Sequence, residues 1–193
     1  QFENWSKNEP TITLNEGKYV GYEAVKGFFV DYNEAQTRWA NEVMRKLFPE
    51  ELGGKSDEEI WAVGSNTVLN FTTPLIEVAF DGQTAKGMWY VYGSTTEVYS
   101  TGPKAAWNFG RCAVDFIKED GAWKIWHMTM FTDIQCPVGG NWGKDTMYPH
   151  EGVEIPEPTV KEHQYTGYGE DFISMVAPRL PEPYDTFANT FSY

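Results

Sequence analysis

His127 is the side chain in this sequence that is most able to exchange a proton near neutral pH, because an imidazole titrates in that range. It could take up and return a proton beside a carbonyl, as elimination and isomerisation reactions require. The structural alternative is a core histidine that is hydrogen-bonded to a strand neighbour or to the C-terminal tail, since the sequence places no carboxylate beside it. We therefore treat His127 as the candidate catalytic residue and keep this alternative open.

The other reactive side chains do not form a known site pattern. His127, His150 and His163 show no HxH or HxxxH spacing, so we expect no metal site. Cys112 and Cys136 form no CxxC pair, and Cys112 is better explained as a small buried hydrophobe than as a nucleophile. No GxGxxG, P-loop or GxSxG pattern occurs, so we expect no bound cofactor.

One long helix is predicted in the first quarter of the chain. Apolar residues recur at three- and four-residue spacings from Val25 to Leu47, which indicates a helix over about 22–48 that ends before Pro49. Further along, the sequence SDEE at 56–59 is typical of a capping box, so we expect a short helix there.

The middle of the chain has the period of two that is typical of β strands. Four segments are predicted, over about 67–80, 84–100, 104–118 and 122–136. Asp81-Gly82 and Asp120-Gly121 are hairpin turn sequences that join the first pair and the last pair of segments. A long helix followed by four consecutive strands predicts an α+β domain.

The turn at Asp120-Gly121 sets the expected register of the last two strands. Counting outward predicts three cross-strand pairs: Phe116 with Ile125, Val114 with His127, and Cys112 with Thr129. These six residues would form one face, and Asp115 would lie on the other, where it could pair with Arg111. The face of Asp115 would also carry three large residues that are either core or a subunit interface: Trp126, Met128 and Met130.

The same counting around Gly82 predicts which residues of the first hairpin share a face with Trp89. Extending the alternation along the first strand adds the amide of Asn70 and the hydroxyl of Thr72 to that face, and the neighbouring strand adds the amide of Asn108. If that face is concave, the expected substrate-binding residues are Asn70, Thr72, Trp89, Asn108, Cys112 and Thr129.

The composition excludes several classes of partner. Fifteen basic and twenty-eight acidic residues give a net charge of −13, so nucleic acid and anionic membrane surfaces are not expected partners. No apolar stretch approaches the length of a membrane span, and the N-terminus lacks a secretion signal. With only two cysteines, these features predict a cytoplasmic protein. Aromatic residues make up 16% of the chain, which favours a lined cavity or a large interface.

Several segments resemble the SnoaL-like branch of the NTF2-like superfamily. They are GKYVGYEAVKGFF, TPLIEVAFDGQTAKGMWYVYG, WNFGRCAVDFIKEDGAWKIWHMTMF and the terminal PRLPEPYDTF. The resemblance implies a conical fold in which a curved antiparallel sheet wraps around a long helix and encloses an apolar pocket. It also implies a homodimer through the sheet. Two departures from the family pattern are that the chain starts near the expected end of the first helix, and that Asn70 occupies the position where dehydratase relatives carry a histidine.

These observations predict one domain over 1–136 and a Pro- and Tyr-rich extension over 137–193 that wraps the domain or a partner subunit. The family includes ketosteroid isomerases, scytalone dehydratase and polyketide cyclases. The resemblance therefore implies a small hydrophobic, oxygenated ligand, such as a steroid, terpenoid or aromatic polyketide. In a cofactor-independent dehydratase or isomerase, His127 would move the proton while Asn70 or Asn108 holds an oxygen. The alternatives are a non-catalytic binding module and a structural dimer whose pocket is filled by its own tail.

Overall fold

The computed structural model describes residues 2–145, 147–161, 165–173, 177–181 and 193. The helical elements are a short 3₁₀ turn at Phe2–Asn4, α1 (Tyr22–Lys26), a π-helical turn (Gly27–Tyr32), α2 (Asn33–Leu47) and α3 (Pro49–Leu52). The strands are β1 (Thr11–Leu14), β2 (Gly17–Val20), β3 (Asn66–Val78), β4 (Thr84–Tyr99), β5 (Gly102–Glu119) and β6 (Ala122–Pro137).

The predicted long helix is confirmed as a continuous helical run from α1 through α2. It ends at Leu47, because the following Phe48 leaves helical geometry and Pro49 begins the separate α3. The capping box is also present, since Ser56 and Glu59 exchange hydrogen bonds of 2.8 and 3.4 Å. The residues after it form turns, so the predicted short helix is wrong even though its capping interaction forms.

The six strands form one curved, unclosed sheet in the order β2-β1-β6-β5-β4-β3. The four long strands lie close to their predicted bounds and pair as antiparallel neighbours in chain order. The short β1 instead pairs in parallel with β6. The sheet is therefore mixed, which corrects the predicted purely antiparallel sheet, while the α+β class with one long helix against a curved sheet is confirmed.

A β-bulge in β6 changes the predicted register of the last hairpin. The pair of Phe116 with Ile125 forms as expected, and Glu119 pairs with Ala122 beside the turn. The register then shifts at Trp126, so the later pairs are Asp115 with His127, Val114 with Met128, Ala113 with Thr129, and Cys112 with Met130. The predicted pairs of Val114 with His127 and of Cys112 with Thr129 are therefore wrong, because the bulge inserts one extra residue into β6.

A second bulge changes the faces of β3. The register shifts between Thr72 and Leu75, where Thr73 has a φ of 49° in the left-handed region and is followed by Pro74. Beyond this point Asn70 pairs with Tyr92, and Thr72 with Tyr90, on the side of the sheet opposite to Trp89. The alternation that placed Asn70 and Thr72 beside Trp89 is thus interrupted by the bulge.

The two sides of the sheet differ in what covers them. We call the side that carries Val114 and Met128 the inner face, because Met128 packs against the same buried cluster as Phe28 and Phe29 of the helical run. We call the side that carries Asp115 and His127 the outer face. Met128 and Met130 thus lie on the inner face, which corrects their predicted placement beside Asp115.

The C-terminal extension contacts the domain at several points within its described residues. Lys18 and Val160 exchange backbone hydrogen bonds of 2.9 Å, and Tyr165 lies flat against Phe131 with ring centroids 4.5 Å apart. The division of the chain at residue 136 stays a prediction. His163 and the tail aromatics Tyr184, Phe187 and Phe191 lie outside the described residues. Within the described part of the chain, no helix is long and apolar enough to cross a membrane.

Candidate functional site

A cavity of about 2180 Å³ lies between the inner face and the helical run. Its floor comes from β1 and β6, and its walls come from the helical run and from residues 142–161 and 167–168. Eleven aromatic side chains line it: Phe2, Trp5, Tyr19, Phe28, Phe29, Tyr32, Trp61, Tyr99, Trp142, Tyr148 and Tyr168. Aromatic side chains that line a concave site are typical of small-molecule sites.

The π-helical turn supplies the densest group of aromatic side chains in the cavity. Phe28 packs edge-on against Phe29 and stacks on Tyr32, with ring centroids 5.6 and 5.8 Å apart. Backbone carbonyls that a wider helical turn leaves without their usual donor need another partner. Asn33 supplies one, since its amide donates to the carbonyls of Phe28 and Phe29 at 3.1 Å. The sequence thus stabilises the turn that presents these rings.

One wall of the cavity comes from the segment 147–158 of the C-terminal extension. The side chain of Gln36 holds this segment against α2, because it donates to the carbonyl of Glu151 at 2.9 Å and accepts from the N–H of Val153 at 2.8 Å. At the other end, the hydroxyl of Tyr19 donates to the carbonyl of Pro156 at 2.7 Å. The wall is therefore fixed by hydrogen bonds to both the helix and β2.

The side chains of Tyr32, Glu97 and Tyr99 line the cavity and make no hydrogen bond to any described residue. Burial raises the pKa of Tyr99 to about 12, and the nearby Glu97 carboxylate adds to the effect. Burial also raises the pKa of Tyr32, again with a contribution from Glu97. Both phenols therefore keep their protons at neutral pH and can donate hydrogen bonds into the cavity.

His150 also lines the cavity, close to Tyr32. The two rings have centroids 6.3 Å apart. Its Nε2 lies 2.8 Å from the carbonyl oxygen of Val153. Because a carbonyl only accepts, Nε2 must carry the proton, and the neutral ring then presents Nδ1 as an acceptor. His150 can therefore accept a hydrogen bond or a proton from a bound molecule.

The outer face carries a buried polar cluster instead of a cavity. Lys86 and Asp115 form an ion pair of 2.7 Å in which both side chains are 0% exposed. The second oxygen of Asp115 lies 2.9 Å from Nδ1 of His127 and accepts from the backbone N–H of Tyr193 at 3.0 Å. The ring of Tyr193 covers the Lys86 ammonium at 5.0 Å. We call these four residues the outer cluster.

The outer cluster gives His127 a carboxylate partner that the sequence did not reveal. Asp115 accepts from its partners, so the proton of the neutral imidazole lies on Nδ1. The bulge at Trp126 brings the two side chains to the same face, and the indole ring stacks on His127 with centroids 4.5 Å apart. The suggested pair of Arg111 with Asp115 does not form, since Arg111 binds Asp133 at 2.8 Å.

The structure separates the predicted site residues into two groups. Trp89, Asn108 and Cys112 lie on the inner face. Asn70, Thr72, His127 and Thr129 lie on the outer face. None of the seven is among the residues that line the cavity in the described part of the chain. The structure therefore does not bring them together into one site.

The inner-face residues among these serve as packing between strands. Cys112 is 1% exposed, and burial raises the pKa of its thiol to about 12, which disfavours a nucleophilic thiolate. The ring of Trp89 lies over Gly87 and meets Phe116 edge-on at 6.3 Å. The amide of Asn108 donates to the hydroxyl of Thr95 at 2.9 Å.

The outer-face residues make local contacts. The exposed Asn70 amide donates to the carbonyl of Tyr92 at 3.3 Å, and the Thr72 hydroxyl donates to the carbonyl of Tyr90 at the same distance. Thr129 is 5% exposed and lies beside Ala113. Among the described residues, no group of three or more His, Cys, Asp or Glu side chains could hold a metal ion.

Sequence reasoning missed the cavity-lining residues of β4 and of the extension, above all Glu97, Tyr99, Tyr148 and His150. One signal was available for Glu97, because it is the single acidic residue of β4. No local pattern marks Tyr148 or His150, since their positions depend on contacts with Tyr99 and Tyr32 across the chain.

A comparison with protein-family profiles gives a match to the middle of the chain. Residues 53–129 match a family profile described as the SnoaL-like domain, as the sequence motifs predicted. The match covers β3, β4, β5 and the first half of β6. No curated protein matches the chain at a significant level.

Several solved structures are similar to the chain at low identity. A protein of unknown function from Mycobacterium tuberculosis is 18% identical, with a TM-score of 0.43, and the match covers 69% of this chain and 58% of that one. A ketosteroid isomerase-like protein from Erwinia carotovora is 10% identical, with coverages of 68% and 77% and a TM-score of 0.41. A hexachlorocyclohexane dehydrochlorinase from Novosphingobium barchaimii is 15% identical, with coverages of 75% and 77% and a TM-score of 0.41.

Proposed function

We propose that this protein binds a small, hydrophobic, oxygenated molecule in the cavity on the inner face. The observation that carries the proposal is the lining itself, which combines eleven aromatic side chains with polar groups that make no hydrogen bond to described residues. Tyr32 and Tyr99 can donate to a ligand oxygen, while His150 can accept from a hydroxyl. A steroid, a terpenoid or an aromatic polyketide has this combination of an apolar body and a few oxygens.

Native mass spectrometry of the protein purified from its host tests this proposal. We expect an additional mass of a small organic molecule that is lost on denaturation. A second test uses the fluorescence of the lining residues Trp5, Trp61 and Trp142, which a bound aromatic molecule should quench. Absence of both a retained mass and quenching by any apolar aromatic compound would contradict ligand binding and favour a structural role.

A second candidate function is cofactor-independent dehydration or isomerisation of the bound molecule. The observation that favours it is the presence of a proton acceptor, His150, next to a proton donor, Tyr32, in the same cavity. His127 stays the sequence-based candidate, although its position on the outer face requires the substrate to reach that side. Once a substrate is known, turnover by His127→Ala and His150→Ala separates the two assignments.

We also propose that the chain forms a homodimer through the sheet and resides in the cytoplasm. Support for the dimer comes from the exposed apolar residues along β3, namely Val68, Phe71, Leu75, Ile76 and Val78. Support for the location comes from two buried, free cysteines. Sedimentation analysis of the wild-type protein and of Ile76→Glu tests the dimer. A wild-type monomer would contradict it.

A further inference from the structure

The charged side chains around the cavity are almost all acidic. Among the 38 described lining residues, seven are Asp or Glu, one is Lys and none is Arg. The whole chain has 28 acidic and 15 basic residues. The cavity is therefore much more acidic than the chain as a whole, so its charge is not a simple consequence of the net charge of −13.

Two of the seven carboxylates are balanced by neighbouring cations. Asp133 binds Arg111 at 2.8 Å, and Glu157 binds Lys161, the one lining lysine, at 2.9 Å. The other five form no ion pair with a described residue: Glu16, Glu34, Glu97, Asp145 and Glu154. Lys104 is the cross-strand neighbour of Glu97, but its ammonium lies over the rings of Tyr99 and Tyr148, at 4.6 and 4.5 Å, and forms no ion pair with a described residue.

Glu97 has the strongest influence on the interior among these five. All five carboxylates are exposed, but Glu97 lies on β4 close to Tyr99, which is buried in the cavity wall. Its charge acts on two phenols of the wall, because it contributes to the raised pKa of both Tyr32 and Tyr99. The negative field thus reaches the part of the cavity where the polar groups lie.

The eleven aromatic rings favour the same kind of ligand as the carboxylates. The faces of Trp, Tyr and Phe rings attract cations, and they do so more strongly where water is excluded. A cleft lined by charge of one sign also concentrates ligands of the opposite sign. An anionic ligand would instead meet repulsion from the carboxylates, and no arginine lines the described part of the cavity to compensate for it.

From these contacts we infer that the cavity selects ligands that carry a positive charge, such as a protonated amine on an aromatic or alicyclic body. By the same inference, it discriminates against carboxylates, sulfonates and phosphates. This inference rests on the proposed function, because it narrows the chemical class of the molecule that the cavity binds.

Three probes with one naphthalene skeleton and different charges test the inference. They are 1-naphthylmethylammonium, 1-naphthalenemethanol and 1-naphthoate, titrated by calorimetry against the full chain. We expect affinity to fall in that order, with at least about a ten-fold difference between the ammonium and the carboxylate, or roughly 1.4 kcal/mol. The difference should shrink as ionic strength rises from about 0.01 M to about 1 M.

Two variants that each remove one negative charge test whether the charge selectivity arises in the cavity. Glu97→Gln should weaken ammonium binding several-fold and leave the alcohol nearly unchanged. Glu50→Gln is the matched control, because Glu50 is exposed on α3 and does not line the cavity. It should leave all three affinities within two-fold.

The outcomes distinguish this inference from the proposed function. Equal affinities for the three probes, or equal effects of the two variants, would overturn the charge selectivity and leave ligand binding intact. If none of the probes binds and no molecule is retained in native mass spectrometry, the proposed function itself is wrong.

Discussion

The inner and outer faces of the same three strands, β4 to β6, handle polar groups in opposite ways. On the outer face, Lys86, Asp115 and His127 bind one another, and Tyr193 covers them. On the inner face, Glu97 and Tyr99 point toward a cavity and make no hydrogen bond to a described residue. Neighbouring residues on one strand therefore belong to two different environments.

This difference indicates which face is built for stability and which for binding. Buried polar groups are normally satisfied by partners, and the outer cluster follows that rule within the protein itself. Polar groups that line a cavity without protein partners retain hydrogen-bonding capacity for water or for a ligand. The ordered, mutually satisfied cluster around Asp115 is thus a structural feature, whereas the incomplete polar lining of the cavity is the better candidate for function.

The largest effect should follow removal of the Asp115 carboxylate. Asp115→Ala removes the carboxylate that lies 2.7 Å from the buried Lys86 ammonium, so we expect the free energy of unfolding to fall by about 3–5 kcal/mol. Urea denaturation followed by circular dichroism measures this change. The exposed pair of Lys26 and Asp31, at 3.5 Å, supplies the control, because Asp31→Ala should cost less than about 1 kcal/mol.

A double variant separates a lost ion pair from a lost contact. Replacing both partners, as Lys86→Met and Asp115→Leu, removes both buried charges and should destabilise the protein less than Asp115→Ala alone. A double variant that is less stable than Asp115→Ala would show that the charges are not the cause. The comparison between the two faces would then lose its energetic basis.

The helix, the strand bounds and both hairpins could be predicted from the sequence because they depend on local physical chemistry. Asp120 and Gly121 have φ values of 50° and 79°, which are the left-handed angles that an Asp-Gly turn adopts readily. The run from Val25 to Leu47 has the apolar spacing of a helix that packs on one side. Interactions between near neighbours determine these elements, so a single sequence contains them.

The faces of the strands could not be predicted, because each β-bulge reverses the alternation beyond it. The bulge at Trp126 moved His127 to the side of Asp115, and the bulge at Thr73 moved Asn70 away from Trp89. Pro74 was a signal for the second bulge, since proline within a strand often marks one. Nothing comparable marks Trp126, whose indole N–H donates to the distant carbonyl of Asn8 at 2.8 Å.

The cavity itself could be predicted only as a consequence of the family resemblance. Its wall depends on contacts between parts of the chain that are far apart, such as those of Gln36 with Glu151 and Val153. The pairing of β1 with β6 is equally remote in sequence. Periodicity and turn residues carry no information about such pairs, which explains why the predicted site residues and the lining residues differ.

The second-largest effect should distinguish the two histidines. His127→Ala removes a hydrogen bond to the buried Asp115 carboxylate, so we expect a loss of about 1.5–3 kcal/mol in the free energy of unfolding. Affinity for the naphthalene probes should stay within two-fold, because His127 does not line the cavity. His150→Ala should show the reverse pattern, with little change in stability and a change in probe binding. Weakened binding by His127→Ala alone would assign function to the outer face.

A smaller effect is expected from filling the cavity. Met130 lies on the inner face and lines the cavity, so Met130→Trp adds volume where there is space for it. We expect about ten-fold weaker binding of 1-naphthalenemethanol, with stability changed by less than about 1.5 kcal/mol. The neighbouring Thr129 lies on the outer face and is the matched control. If Thr129→Ser weakens the probe as much as Met130→Trp, the cavity is not the binding site.

The smallest expected effect is on the pH dependence of stability, to which the titration of Tyr99 should contribute. The pKa of Tyr99 is raised from about 10 to about 12 in the folded protein, so the folded state holds this proton more tightly than the unfolded state. The corresponding stabilisation is fully present below pH 10 and is lost as the pH rises toward 12. Between pH 9 and pH 11, the free energy of unfolding of Tyr99→Phe should therefore fall less steeply with pH than that of the wild-type protein. The difference between the two slopes should correspond to a fraction of one proton.

Tyr90→Phe is the control for this measurement, because Tyr90 is 59% exposed on the outer face and lies in solvent. The buried thiol of Cys112 has a pKa raised in the same direction, but it is present in all three proteins and cancels in the comparison. Urea denaturation at intervals between pH 9 and pH 11 gives the three slopes. Equal slopes for Tyr99→Phe and the wild-type protein would mean that Tyr99 is well solvated, and the cavity wall would then be too open to exclude water from a ligand.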